Sequence, residues 1–148
     1  MTAAEKQLSA MIARYSPEVA SLARKTLVKV RKLLPGAVEL VYDNYNALAV
    51  AFGPTDRTAD VILSVTLYPR WVSLFFAQGA SLPQKRLQGS GKRVRHLVIE
   101  SVDVLDEPEV RALVEMAVTQ ATSPLSKRRV IVKSVAAKQR PRRPKATR

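Results

Sequence analysis

The sequence predicts an α+β fold, an antiparallel sheet of four or five strands with two N-terminal helices and one C-terminal helix packed on it. Three observations lead there. Apolar residues recur at helical spacing as far as Leu34 and again after Pro108. Between Gly36 and Glu100 they give way to short β-branched and aromatic runs, the composition of strands. The connections between those runs are short, whereas a parallel crossover needs roughly a dozen residues, so the pairing is expected to be antiparallel.

In residues 3–15, Leu8, Met11, Ile12 and Tyr15 fall on one helical face. Ser16 and Pro17 then interrupt. Ser16 is a good N-cap, Pro17 suits the first helical position, and Glu18 complements the positive end of the helix dipole. The second helix runs to about Leu34, its buried stripe being Val19, Leu22, Ala23, Thr26, Leu27, Val30, Leu33 and Leu34, and Pro35-Gly36 ends it. Residues 38–42 and 48–52 read as two strands around Asp43-Asn44-Tyr45-Asn46, which supplies turn chemistry. Gly53-Pro54-Thr55-Asp56 opens another turn. Residues 61–67 and 71–76 are the next two strands, joined by Tyr68-Pro69-Arg70, and 97–100 is the fifth. A loop with one helical turn at 83–87 is expected before it. Asp106 and Glu109 fit a capping box for the last helix, whose apolar residues are Val110, Leu113, Val114, Met116, Ala117 and Val118.

The formal net charge is +13 over 148 residues, and its distribution matters more than its size. Residues 127–148 hold ten of the 25 basic residues and no acid, which leaves residues 1–126 at +3. Apolar periodicity also fades after Ser123. Residues 1–126 are therefore expected to be the folded domain and residues 127–148 a basic, mostly disordered tail, because ordering that tail would return little burial for its entropy. Residues 130–132 are the one stretch of it with strand character. No cysteine is present, which excludes disulfides, thiolate nucleophiles and zinc–sulfur sites, and His96 is the only histidine. No apolar run approaches the roughly 20 residues of a membrane span. The N-terminus has neither the basic nor the apolar region of a signal peptide, so a cytoplasmic location is expected.

Three stretches carry a resemblance: Val41-Tyr42-Asp43-Asn44-Tyr45-Asn46; Tyr68-Pro69-Arg70-Trp71-Val72-Ser73-Leu74-Phe75-Phe76; and Leu87-Gln88-Gly89-Ser90-Gly91-Lys92 with Val94-Arg95-His96. Together they resemble the YdhG-like family, small bacterial domains of uncharacterised function, over roughly residues 16–121. Some relatives in that family are described as frataxin-like iron chaperones. The resemblance implies that an iron role would fall on the dense acidic group here, Asp103, Asp106, Glu107 and Glu109. The plain chemical reading of those acids is a helix N-terminus stabilised by negative charge. Where many relatives have tyrosine followed by Met-Pro, this chain has Tyr42-Asp43-Asn44-Tyr45.

Seven of the eight aromatic residues fall between Tyr42 and Phe76. In residues 71–76, alternation puts Val72, Leu74 and Phe76 on a core face, and Trp71, Ser73 and Phe75 on a mixed face suited to a pocket wall. Gly89-Ser90-Gly91-Lys92 is not a phosphate-binding P-loop. The required glycine and hydroxyl positions hold Arg86 and Arg93, and the loop leads into a strand rather than a helix. Its backbone N–H groups can still face an anion, with Lys85, Arg86, Lys92, Arg93 and Arg95 as nearby cations. If Arg70 and Trp71 lay beside this loop, guanidinium and indole together would suit a planar anion.

No set of side chains points to catalysis: there is no Ser-His-Asp pattern, and Asp43 is read as turn chemistry. The leading expectation is a non-catalytic binding domain for a small anionic or aromatic ligand, using Tyr42, Tyr45, Arg70, Trp71, Gly89, Gly91, Lys92 and Arg95, with no cofactor and no metal. The alternative is nonspecific nucleic-acid binding through the tail, by Lys127, Arg128, Arg129, Arg140, Arg142, Arg143 and Lys145, since such cations displace counterions from phosphates. Iron binding, by resemblance, is the third reading.

Overall fold

Ser16 accepts a hydrogen bond from the Val19 N–H at 3.3 Å, and Pro17 occupies the first position of the long helix it caps. That helix, α2 (Pro17–Leu33), follows α1 (Ala3–Ile12), which Thr2 caps in the same way. These local signals set both N-terminal helices where the sequence placed them. The computed structural model describes residues 1–83 and 86–144.

Gly36, with φ +81°, turns the chain out of α2 in a conformation that L side chains rarely adopt. A Cβ at Gly36 would stand 2.7 Å from the Ser126 carbonyl oxygen. Five strands then follow in order: β1 (Val38–Asp43), β2 (Leu48–Gly53), β3 (Leu63–Leu67), β4 (Val72–Phe76) and β5 (Arg95–Ile99). Each pairs antiparallel with the next. Short 3-10 helices at Thr58–Asp60, Gly79–Ser81 and Val102–Asp106 fill the connections, and α3 (Pro108–Thr119) is the last helix.

Among the described residues the fold is α+β with three α-helices, but its sheet differs from expectation. It has six strands in the order β5-β4-β3-β2-β1-β6 and is mixed, because β6 (Arg129–Val135) runs parallel to β1 with a register shift at Val41/Tyr42. The segment expected to be a disordered tail thus contributes an edge strand longer than residues 130–132. Val130, Ile131 and Val132 of this strand are half-buried, while Val135 is exposed. The connection from β5 through α3 is long enough for a parallel return, which the short connections upstream are not.

The α-helices pack on one face. Val41, Leu48, Val50, Phe52, Leu63, Val65, Leu67, Leu74 and Phe76 face them and join one core with Leu27, Val30, Leu113 and Val114. Full burial of each such side chain stabilises by about 1.5–3 kcal/mol. Two acids share this face. Glu39 is fully buried, and Arg31 (Nη2 to Oε1, 2.9 Å) and Arg128 (Nε to Oε2, 2.7 Å) both donate to it. Asp43 is 1% exposed.

A second correction concerns α3. Its N-cap is Glu107, which makes no side-chain capping bond. Asp106 instead accepts from Lys29 Nζ at 2.7 Å, and Glu107 pairs with Arg86 at 2.7 Å. The capping box of Asp106 with Glu109 does not form, because the preceding 3-10 helix carries Asp106 to α2. The helical turn expected at 83–87 includes Gln84 and Lys85, which lie outside the described residues.

Candidate functional site

The face of the sheet away from the α-helices is built from the alternate residues of the same strands. Two rows of neighbouring residues cross it. One runs Tyr42, Ala49, Thr66, Ser73, Val98, and the other Leu40, Ala51, Ser64, Phe75, His96. The centre of each row is small: alanine, serine or threonine where the helix-packed face has leucine, valine and phenylalanine.

Small residues flanked by large ones leave a hollow. A groove of about 340 Å³ lies there, floored by Ala49, Ser64 and Thr66, and walled by Tyr68, Phe75 and Val94. Asn44 and Ala47, from the turn that closes the β1–β2 hairpin, line one end, and Val61 and Ala77 the other. Among the described residues the lining carries no formal charge. Its polar groups are the Ser64 and Thr66 hydroxyls, the Asn44 amide and the Tyr68 phenol. Tyr68 stacks on Trp71 with ring centroids 4.7 Å apart and an interplanar angle of 20°. The turn between them is closed by the Tyr68 N–H donating to the Trp71 carbonyl at 2.9 Å. Partial burial raises the Tyr68 phenol above its ordinary pKa, so it stays a neutral donor at physiological pH. On the next strand pair, Phe75 stacks on His96 at 5.1 Å.

The residues expected to bind ligand are divided by this geometry. Trp71, 43% exposed, stacks on Tyr68, and Arg70 is exposed on the same turn, but neither lines the groove. Tyr42 lies on the same sheet face, but its hydroxyl is engaged with Thr58 Oγ1 at 2.5 Å. Tyr45 is exposed on the hairpin turn, with the Arg140 guanidinium 5.9 Å from its ring centroid.

Gly89, Gly91 and Lys92 are exposed in the loop leading to β5. Gly89 takes φ +126°, while a Cβ at Gly91 would meet open space. Arg95 Nη1 folds back to donate to the Gly91 carbonyl at 2.5 Å and the Val94 carbonyl at 2.8 Å. The arginine thereby satisfies its own loop. Arg70 and Trp71 do not sit beside this loop, because Arg95 pairs with Phe76 at one end of β4 and Trp71 precedes Val72 at the other. The groove, rather than a shared anion site, links the two ends through Tyr68 and Val94. Lys85 lies outside the described residues.

The cations read as a nucleic-acid tail are largely engaged with the protein. Arg128 bonds Glu39, and Arg129 lies 3.7 Å from Asp56. Arg142 is 6% exposed and donates from Nη2 to Asp43 Oδ1 at 2.8 Å and from Nη1 to the Tyr15 hydroxyl at 2.9 Å. Burial pushes the Tyr15 phenol up to about 12. Arg143 donates to main-chain carbonyls at the end of α1. Lys127 is exposed, and Lys145 lies outside the described residues. Among the acids that an iron role would use, Asp106 and Glu107 hold the ion pairs given above. No group of three or more histidine or acidic side chains able to hold a metal occurs among the described residues.

None of the eight residues expected to bind ligand lines the groove; Phe75, which alternation puts on the mixed face of β4, does, and the floor was missed. The signal was present in the alternation of Ser64 and Thr66 with Leu63, Val65 and Leu67, which puts two hydroxyls on the face opposite the core. Comparison with protein-family models, curated proteins and solved structures returned no match.

Proposed function

We propose that this chain is a non-catalytic binding domain whose ligand is a small, flat aromatic compound lying in the groove of the open sheet face. The observation that carries the reading is the uncharged hollow over Ala49, Ser64 and Thr66, with Tyr68 and Phe75 as its walls. Aromatic walls favour a flat ring by offset stacking, worth about 0.5–1.5 kcal/mol per pair beyond burial. The Ser64, Thr66, Asn44 and Tyr68 polar groups orient it without demanding a charge. An anionic substituent on the ligand would meet Arg70 on the rim turn. The surroundings that would support the alternatives are weaker, since Arg128 and Arg142 are ion-paired internally and Asp106 and Glu107 have cationic partners. Membership of the YdhG-like family and a cytoplasmic location belong to the same proposal.

Trp71 is the only tryptophan and stacks on a wall of the groove, so its emission reports occupancy. Titration with a panel of flat aromatic acids and their neutral analogues is expected to shift or quench that emission saturably. Ala49→Leu, which fills the floor, is expected to weaken the response by about tenfold, the equivalent of roughly 1.4 kcal/mol. Silence across the panel, or an unchanged response in Ala49→Leu, would remove the groove from consideration.

A further inference from the structure

The last described stretch of the chain, residues 136–144, lies across the β1–β2 turn and the end of α1. Three of its arginines each meet a different feature. The Arg140 N–H donates to the Tyr45 carbonyl at 2.9 Å while its guanidinium stands over the Tyr45 ring. Arg142 enters a closed cradle. It donates to Asp43 Oδ1 at 2.8 Å, the Asn44 carbonyl at 2.6 Å and the Tyr15 hydroxyl at 2.9 Å, with its guanidinium carbon 5.5 Å from the Tyr15 ring centroid. Gln139 completes the cradle by donating to Asp43 Oδ2. Arg143 donates to the Arg14 carbonyl at 3.3 Å and the Ala13 carbonyl at 3.5 Å, at the negative end of the α1 dipole.

Apart from Gln139, every group that receives these arginines belongs to β1, its turn or the end of α1. The receiving surface is therefore laid out like a binding site, with the arm as its ligand. A planar fork that donates to carboxylate, carbonyl and phenol at once suits guanidinium and not ammonium. Pro141 and Pro144 keep the segment extended, which lowers the entropy lost on docking.

We propose that this surface recognises arginine-proline segments of other polypeptides, and that residues 139–144 occupy it as a tethered competitor. A tether of this kind sets an effective concentration of order mM, so an incoming peptide succeeds when the arm is withdrawn or when the peptide reaches that range. This site is distinct from the aromatic groove and touches it only through Asn44.

The test uses the full chain carrying Arg140→Ala, Arg142→Ala and Arg143→Ala together, with a fluorescently labelled peptide of residues 136–144 followed by anisotropy. The peptide is expected to bind this variant at least about tenfold tighter than the wild-type chain, as a removed competitor requires. Adding Asp43→Asn should abolish that binding, and lysine in place of the peptide's Arg142 should weaken it by about tenfold or more. Equal binding to variant and wild type, or equal binding of the lysine peptide, would overturn the proposal. Circular dichroism checks that the variant is folded. The wild-type chain supplies a second measurement that needs no substitution. At peptide concentrations of order mM, hydrogen exchange of the Arg140 amide should accelerate as the arm is displaced, and unchanged exchange would overturn the proposal. Dimerisation of the wild-type chain by exchange of its arm, seen by light scattering, would assign the surface to a second copy and equally overturn it.

Discussion

With 1% of its surface exposed, Asp43 has given up its water, and the groups that replace it come from far along the chain. Arg142 donates to it across 99 positions of sequence, and Gln139 across 96. Removing Arg142 leaves Asp43 only Gln139 and, at 3.8 Å, Arg14, so Arg142→Ala is expected to destabilise the fold by about 1.5–3 kcal/mol in urea denaturation. A loss under about 1 kcal/mol would mean that water reaches Asp43. The same cradle fixes a pH dependence. Burial chiefly raises Tyr15 from its ordinary pKa to about 12, so the folded state holds a proton that the unfolded state has already released. Its contribution is fully present below about pH 10 and is lost as pH rises through about 12. Denaturation midpoints should fall across that window in the wild type and fall less in Tyr15→Phe. The Phe variant should also lose about 1 kcal/mol near neutrality, from the hydroxyl's bonds to Arg142 and the Leu67 carbonyl.

At the scale of elements, caps that form and caps that only fit a pattern should separate experimentally. Ser16 bonds the Val19 N–H, so Ser16→Ala is expected to cost about 1 kcal/mol. Glu107 caps α3 without a side-chain bond and holds a partly exposed pair with Arg86, so Glu107→Ala should cost less than about 1 kcal/mol. Thermal unfolding of the two variants compares them directly, and a larger loss for Glu107→Ala would contradict the assignment.

The elements legible in the sequence are those whose signals are local. Ser16-Pro17 and Pro35-Gly36 bracket α2, and the alternation of Val72, Leu74 and Phe76 set the core face of β4. β6 was not legible in the same way, because Lys127, Arg128 and Arg129 beside its apolar run have the composition of a solvated tail. The acids that receive two of them lie far upstream, Glu39 on the helix-packed face of β1 for Arg128 and Asp56 beyond β2 for Arg129. Glu39 and Asp43, single acids in an otherwise apolar strand, were the available sign that cations must arrive from elsewhere. Of the groove only Phe75 was legible, for a related reason. Aromatic side chains announce themselves in composition, whereas a floor of Ala49, Ser64 and Thr66 is defined by what is missing.

For the molecule as a whole, the +13 charge describes less of an interaction surface than its size suggests. Arg128 and Arg142 stitch the end of the chain to buried acids on β1, closing one edge of the sheet and holding the turn that lines the groove. The α-helices cover one face completely, and the opposite face keeps a hollow bounded by aromatic rings. That asymmetry is the basis for reading the domain as a binder of flat ligands. Its most direct test is heteronuclear NMR of the full chain titrated with naphthoate, a flat aromatic acid. Saturable shifts are expected to concentrate at Ala49, Ser64, Thr66, Tyr68 and Phe75, with the Trp71 indole moving alongside them. Shifts confined to the loop around Gly89 and Arg95, or no shifts at all, would contradict it.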